Sequence, residues 1–355
     1  MSRQAGWFVA LLLAAMTFSG AVPAKAADGR AAALRAALII QAAGRLDEAL
    51  GAVAASTRSL AGVYSALSRT PAPVTAKERA YWQQHRLRKG DTVGFCRQSP
   101  EPAGLAPQAA YYSYAGEHVT DETLRQLDIM QRLSPALMAA HDAFPYSWVY
   151  VTSVSQSFAI YPYLPLDKAV QNTKPTQQNF YTIADFKHKD CGWESPYLDL
   201  VGAGMMVTVS CPAYADSTLL GVVSHDITLT QLSSTILAEL ASIPNSRAVI
   251  VNRRGKAIAA SDPKMAAFLS DENAKAKDAV TYFRPDRGLV SLGLEKGVSS
   301  PDETVNAAVE TVIERANTNN VWPIIFSQNG FLTLAARTKT TGWYVVLLVP
   351  ETAGK

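Results

Sequence analysis

The stretch CGWESPYLDLVGAGMMVTVSCPAY, from Cys191 to Tyr214, gathers a tryptophan, a Pro-Tyr-x-Asp segment, a glycine turn and an alternating valine run between two cysteines. An aromatic ring and a carboxylate, Tyr197 and Asp199, on a strand-and-turn frame are what one wall of a small-molecule pocket requires. Metal chemistry fits less well. The five histidines, at 85, 118, 141, 188 and 225, show no His-x-x-x-His spacing and no Cys-x-x-Cys lies near them, so no zinc site is expected. His225 and Asp226 are adjacent, but neighbours on a strand point to opposite faces and do not act together.

Nucleophilic chemistry has one candidate. Ser261 and Lys264 match Ser-x-x-Lys, and Lys339-Thr-Thr-Gly342 is a Lys-Thr-Gly element with one residue inserted. A secreted serine hydrolase using Ser261 and Lys264 is therefore the competing enzymatic reading. Against it, no Gly-x-Ser-x-Gly occurs and the middle Ser-x-Asn element is missing. Gly202-Ala-Gly204 is followed by strand-like residues 206 to 210 where a dinucleotide loop needs a helix, so it reads as a hairpin turn. No cofactor is expected.

Composition bounds the partners. The chain has 355 residues, 48% apolar and 18% charged, with a net charge of +3. It can bury a core and carries no long basic run, which argues against nucleic acid. Residues 1 to 26 read as a signal peptide: Arg3, an apolar run over residues 7 to 22, and Ala24-Lys25-Ala26 before the cleavage point. The expectation is a periplasmic or secreted protein. The alternative is an inner-membrane protein anchored by residues 7 to 22, although that run is short for a full span. In an oxidising compartment Cys191 and Cys211, bracketing a hairpin, can form a disulfide with Cys96 left over; the other reading is three small buried residues.

The elements come next. Leu34, Leu38, Ala42, Leu46, Leu50, Val53, Leu60, Tyr64 and Leu67 form one stripe of a continuous helix over residues 27 to 70, ended by Pro71 and Pro73. Residues 71 to 118 read as loops with a short helix around 77 to 88. A helix from Thr120 to about Ala143, strands at 148 to 154 and 157 to 161, a helix at 179 to 185, the stretch above, a strand at 219 to 227 and a helix at 231 to 242 follow. After a boundary at 244 to 246 a shorter copy runs from 248 to 350: a hairpin around 253 to 256, helices near 263 to 269 and 302 to 316, and a hairpin around 340 to 342. The expected fold class is α+β, a long N-terminal helix carrying two modules with antiparallel sheets.

The order Trp193, Pro196-Tyr197-x-Asp199, Gly204, Val207-Thr208-Val209-Ser210, Pro212 and Gly221-Val222-Val223-x-x-Asp226-Ile227 resembles the ligand-binding module of double Cache (dCache, PAS-like) extracellular sensor domains. With the long helix and the Gly342-Trp343-Tyr344 to Glu351 ending, the resemblance spans about residues 30 to 350. It implies a ligand-binding Cache module over 71 to 240, a second Cache module over 245 to 350, and a non-enzymatic sensor. It carries over a ligand-binding set of Gln178, Phe180, Tyr181, Tyr197, Asp199 and Asp226. The family's Arg-x-Trp-Tyr segment falls on Gln178-Asn-Phe180-Tyr181, so a neutral amide stands where a guanidinium would grip a carboxylate. Two carboxylates and aromatic faces without that arginine favour an amine or other small cation. The implied partners are the small-molecule ligand, a membrane receptor or kinase in signal transduction or chemotaxis, and a second copy of the chain through the N-terminal helix.

Overall fold

The computed structural model describes residues 24–89, 92–95, 110–113, 120–164, 174–193, 196–198, 205–228, 231, 237–275, 279–282 and 296–351. Helix α1 (Ala24–Arg69) runs unbroken for 46 residues, about 69 Å at 1.5 Å per residue. Its Ala, Leu and Arg content favours helix at nearly every position. The buried stripe is Ile39, Ala42, Leu46, Leu50, Val53, Leu60 and Tyr64. Leu34 and Leu38, expected on that stripe, are exposed, and the fully buried part of the stripe begins at Ile39.

The described part of residues 71–118 holds more than loops and one short helix. After the short helix α2 (Ala76–Gln84), started by a capping box between Thr75 and Glu78, come strands β1 (Arg86–Lys89), β2 (Thr92–Phe95) and β3 (Ala110–Ser113). Their four-residue length gives too few repeats of a period of two to stand out in sequence. Helix α3 (Asp121–Ala143) is capped by Thr120, and the hairpin β4 (Val149–Ser153) and β5 (Ser157–Tyr161) follows. Helix α4 (Asn179–Thr182) is one turn, shorter than expected. Two-residue strands β6 (Gly192–Trp193) and β7 (Tyr197–Leu198) lead to the long hairpin β8 (Met205–Ala215) and β9 (Thr218–Thr228). These strands form one sheet in the order β1-β2-β3-β5-β4-β9-β8-β6, with β7 also on β8.

Helix α5 (Ala238–Ala241) joins this module to the next. There β10 (Arg247–Val251), β11 (Ala257–Ala260), helix α6 (Pro263–Lys275), β12 (Ala279–Tyr282), β13 (Lys296–Ser299), helix α7 (Glu303–Asn319), β14 (Ile324–Gln328), β15 (Phe331–Arg337) and β16 (Tyr344–Pro350) complete the chain. The second sheet runs β11-β10-β16-β15-β14, antiparallel throughout; β12 and β13 pair in parallel apart from it. Strand β14 lay outside the sequence expectation because Ile325 and Ser327 point to solvent at the sheet edge.

One face of each sheet packs on α1, so a single apolar cluster holds Val207, Val209, Val223 and Val149 of the first module with Ala248, Val345 and Leu347 of the second. The opposite faces differ in chemistry. In the second module Val249, Val251, Ala335, Val346 and Leu348 meet Val305, Val309 and Val312 of α7 in a closed apolar core. In the first, the corresponding face carries Thr208, Ser210, Ser224 and Asp226, all buried. At the junction of the modules Trp193 meets Trp343 edge-on at 6.1 Å between ring centroids, and the Asp47 carboxylate of α1 accepts from Lys339 and Thr340 backbone N–H at 2.6 and 2.7 Å.

Candidate functional site

The polar face of the first sheet follows from strand periodicity. Val207, Val209 and Cys211 point to α1, so Thr208 and Ser210 point the other way, and the β8–β9 register sets Thr208 opposite Asp226 and Ser210 opposite Ser224. Strand β4 adds Tyr150, opposite Ser224. The side chains then link. Tyr150 Oη donates to Asp226 Oδ1 at 2.9 Å and Thr208 Oγ1 donates to the same oxygen at 2.6 Å. Because the Thr208 proton is committed to Asp226, Tyr197 Oη donates to Thr208 Oγ1 at 2.7 Å. Burial, then the Asp226 charge, raises the Tyr150 phenol well above its ordinary pKa, so it stays a neutral donor to the carboxylate.

Aromatic rings flank this chain. Phe180 meets Tyr150 edge-on at 5.3 Å, Phe158 lies 5.3 Å from Tyr150 and 6.2 Å from Phe180, and Tyr112 lies 5.9 Å from Phe158. The Phe180 carbonyl accepts from Ser210 Oγ at 2.5 Å and Ser224 Oγ at 3.3 Å, which pins α4 over the sheet. The arrangement is a buried carboxylate on a rigid antiparallel floor, oriented by two hydroxyl groups and bordered by rings. A positively charged group is what such a carboxylate and such ring faces attract.

The expected residues are only partly assembled. Asp226, Tyr197 and Phe180 join one hydrogen-bonded and aromatic cluster. Tyr181 faces elsewhere, packed with Ala184, Val222 and Phe186. Gln178 is half-buried at the start of α4, where its side chain makes no capping bond. Asp199 lies outside the described residues, as do the Gly202–Ala203–Gly204 segment and Cys96. Cys191 and Cys211 are joined by a disulfide that packs against the Ala54 carbonyl of α1, its two sulfurs 3.9 and 3.8 Å from that oxygen. It closes the loop that contains Tyr197 and Thr208.

Tyr150 and Thr208 received no role from the sequence. The signal was present for Thr208: a hydroxyl alternating with valines on a strand whose other face is core marks a buried polar face. Tyr150 carries no such mark, since a tyrosine in a strand is ordinary packing. His225 and Asp226 do point to opposite faces. His225 is fully buried on the α1 side, its Nε2 3.1 Å from the Phe144 carbonyl at the end of α3 and its Nδ1 without a hydrogen-bond partner among the described residues.

The hydrolase reading loses its geometry. Ser261 Oγ accepts from the Ala248 backbone N–H at 2.8 Å as part of the β10–β11 edge, Lys264 is exposed at the start of α6, and no hydrogen bond joins the two. Among the described residues no group of three or more His, Cys, Asp or Glu side chains could hold a metal ion. Among them, too, no helix is long and apolar enough to cross a membrane.

The long helix bearing two antiparallel-sheet modules is the double Cache architecture of extracellular sensors. Residues 127–234, which hold the site, match the family described as methyl-accepting chemotaxis protein-like, first PDC sensor domain. Among solved structures, the sensory domain of the Campylobacter jejuni chemoreceptor Tlp3 with isoleucine bound is similar at a TM-score of 0.50 and 14% identity, over 93% of this chain and 98% of that one. The ligand-binding domain of the Pseudomonas aeruginosa amino acid chemoreceptor PctC in complex with GABA is 17% identical over 61% of this chain and 80% of that one, at a TM-score of 0.37. No curated protein matches the sequence.

Proposed function

We propose that the protein is an exported, non-enzymatic sensor whose first module binds a small amine or other small organic cation on the polar face of its sheet. The observation that carries this reading is the contrast between the two modules. The face turned away from α1 holds a buried, hydroxyl-oriented carboxylate in the first, and closely packed valines and alanines in the second. A buried carboxylate and its satisfied network are costly to build, and a binding site is where such a cost is repaid. Asp226 is the anchor, Tyr197 and Phe180 border the ligand, and Asp199 supplies a second carboxylate.

Gln178 separates this site from one for α-amino acids, because an amide offers a carboxylate no bidentate charged grip. Tlp3 was solved with isoleucine, so isoleucine is the natural counter-probe. Export by residues 1 to 26, a membrane receptor or kinase as the recipient of the signal, and pairing of two copies through α1 belong to the same proposal.

The test is a thermal-shift panel of primary amines, quaternary ammonium compounds, amino acids and dicarboxylates, since a ligand of the native state raises Tm by mass action. The expected result is a saturable shift with an amine and none with isoleucine, and a loss of affinity of about 100-fold or more in Asp226→Asn, as for a buried charge-assisted bond removed. A carboxylate hit that Asp226→Asn leaves unchanged would reject the anchor.

A further inference from the structure

A second charged locus lies in the other module, at the end of its sheet where β10 turns into β11 and β15 into β16. The register pairs Val251 with Tyr344 and Arg337 with Tyr344, so the two turns emerge side by side. The first turn contains Arg253, Arg254 and Lys256, the second is flanked by Arg337 and contains Lys339, and neither contains an acidic residue. The Asp47 carboxylate that reaches the second turn is occupied by the Lys339 and Thr340 amides.

Two of these cations converge. Gly342 has φ +69, and a Cβ placed on it would stand 3.4 Å from Arg337 Nη2 and 3.5 Å from Arg253 Nε. The two guanidinium groups are thus no more than about 7 Å apart, where like charges repel unless an anion lies between them. Among the described residues neither arginine forms an ion pair. Arg337 Nη1 has a neutral acceptor, Asn320 Oδ1 at 3.3 Å. The Tyr344 ring lies tilted against Trp322 at 5.1 Å between centroids, and burial raises its phenol while the charges of Arg337 and Arg253 oppose that rise.

We propose that Arg253 and Arg337 form an oxyanion site that takes a small, multiply charged ligand of the phosphate type, with the Tyr344 hydroxyl as a neutral donor. Guanidinium forks match the geometry of phosphoryl oxygens, and two of them favour a dianion over a single carboxylate. Trp343, between the Gly342 turn and Tyr344, turns to the α1 side of the sheet and meets Trp193 of the first module there, whereas Tyr344 turns to the opposite side. The site is independent of the amine reading of the first module. It shares no residue with it.

The probe is inorganic phosphate, titrated into the whole protein at constant ionic strength with chloride as the balancing salt. The expected result is a saturable rise in Tm with the wild type, and at least tenfold weaker binding in R337Q and in R253Q. A second readout needs no ligand. With the pair unoccupied, R253Q relieves repulsion, so its Tm at low salt should exceed that of the wild type and the gain should vanish at high salt. A phosphate effect that is absent, never saturates or persists in both variants would overturn the proposal. So would an R253Q protein less stable than the wild type at low salt, which would mark Arg253 as a structural contact.

Discussion

Replacing Gly192 with alanine is expected to lower the unfolding free energy by about 3 kcal/mol or more, the upper end of what an overpacked methyl costs. A Cβ on Gly192 would stand 1.8 Å from the Ile183 carbonyl oxygen and 2.8 Å from its carbon, both backbone atoms that end the α4 turn. Neither neighbour is the tip of a flexible chain that can swing aside. On its other side Gly192 pairs with Ser210 of β8, and the disulfide anchors the preceding residue, so the strand cannot retreat either. The same displacement would lift α4, and with it Phe180, from Ser210 and Ser224. Urea unfolding should therefore show a lower midpoint at unchanged slope, together with loss of the ligand response. A variant within 1 kcal/mol of the wild type would show that α4 and β6 part easily.

Acid should cost the protein about 3 kcal/mol through His225 alone. Burial against α3 and the sheet pushes this imidazole down from 6.5 to about 4, with the Phe144 carbonyl opposing the shift and His141 adding to it. A lowered folded value means that between pH 6.5 and 4 the unfolded chain binds the proton and the folded one does not. Stability from this group is full above pH 6.5, falls as pH drops towards 4, and is level below. Carboxylates with lowered pKa values, such as Asp190 beside Arg58, also lose stability in acid, so the comparison must be differential. In His225→Gln, whose amide can still donate to Phe144, the loss between pH 7 and pH 4 should shrink by about 2 to 3 kcal/mol. An unchanged pH profile would mean that His225 is protonated without cost in the folded state.

Other elements of the architecture were legible for reasons that can be named. Helix α1 announced itself because 46 residues without proline repeat one apolar spacing. Strands β8 and β9 were visible, the first because Val207 and Val209 alternate with Thr208 and Ser210 and the second as an apolar run over 219 to 227, and the closing β15–β16 hairpin because apolar runs flank a Gly342 turn. Strands β1 to β3 and β14 were not legible. Each is four or five residues long, too short for a period of two to stand out, and β3 is held by β5, more than 40 positions away.

What the sequence determined by itself was the class of fold and the polar residues available to a pocket: periodicity is a local property, and Tyr197, Thr208 and Asp226 stand in the chain whatever surrounds them. What only the tertiary structure decided was which of them meet. The register of β8 against β9 set Thr208 beside Asp226, the place of β4 in the sheet brought Tyr150 to the same oxygen, and the packing of α4 turned Phe180 towards that site and Tyr181 away from it. Strand order and register arise from pairing between segments far apart in sequence. One chain read alone therefore names the participants of such a site, and the fold selects the members and sets the distances between them.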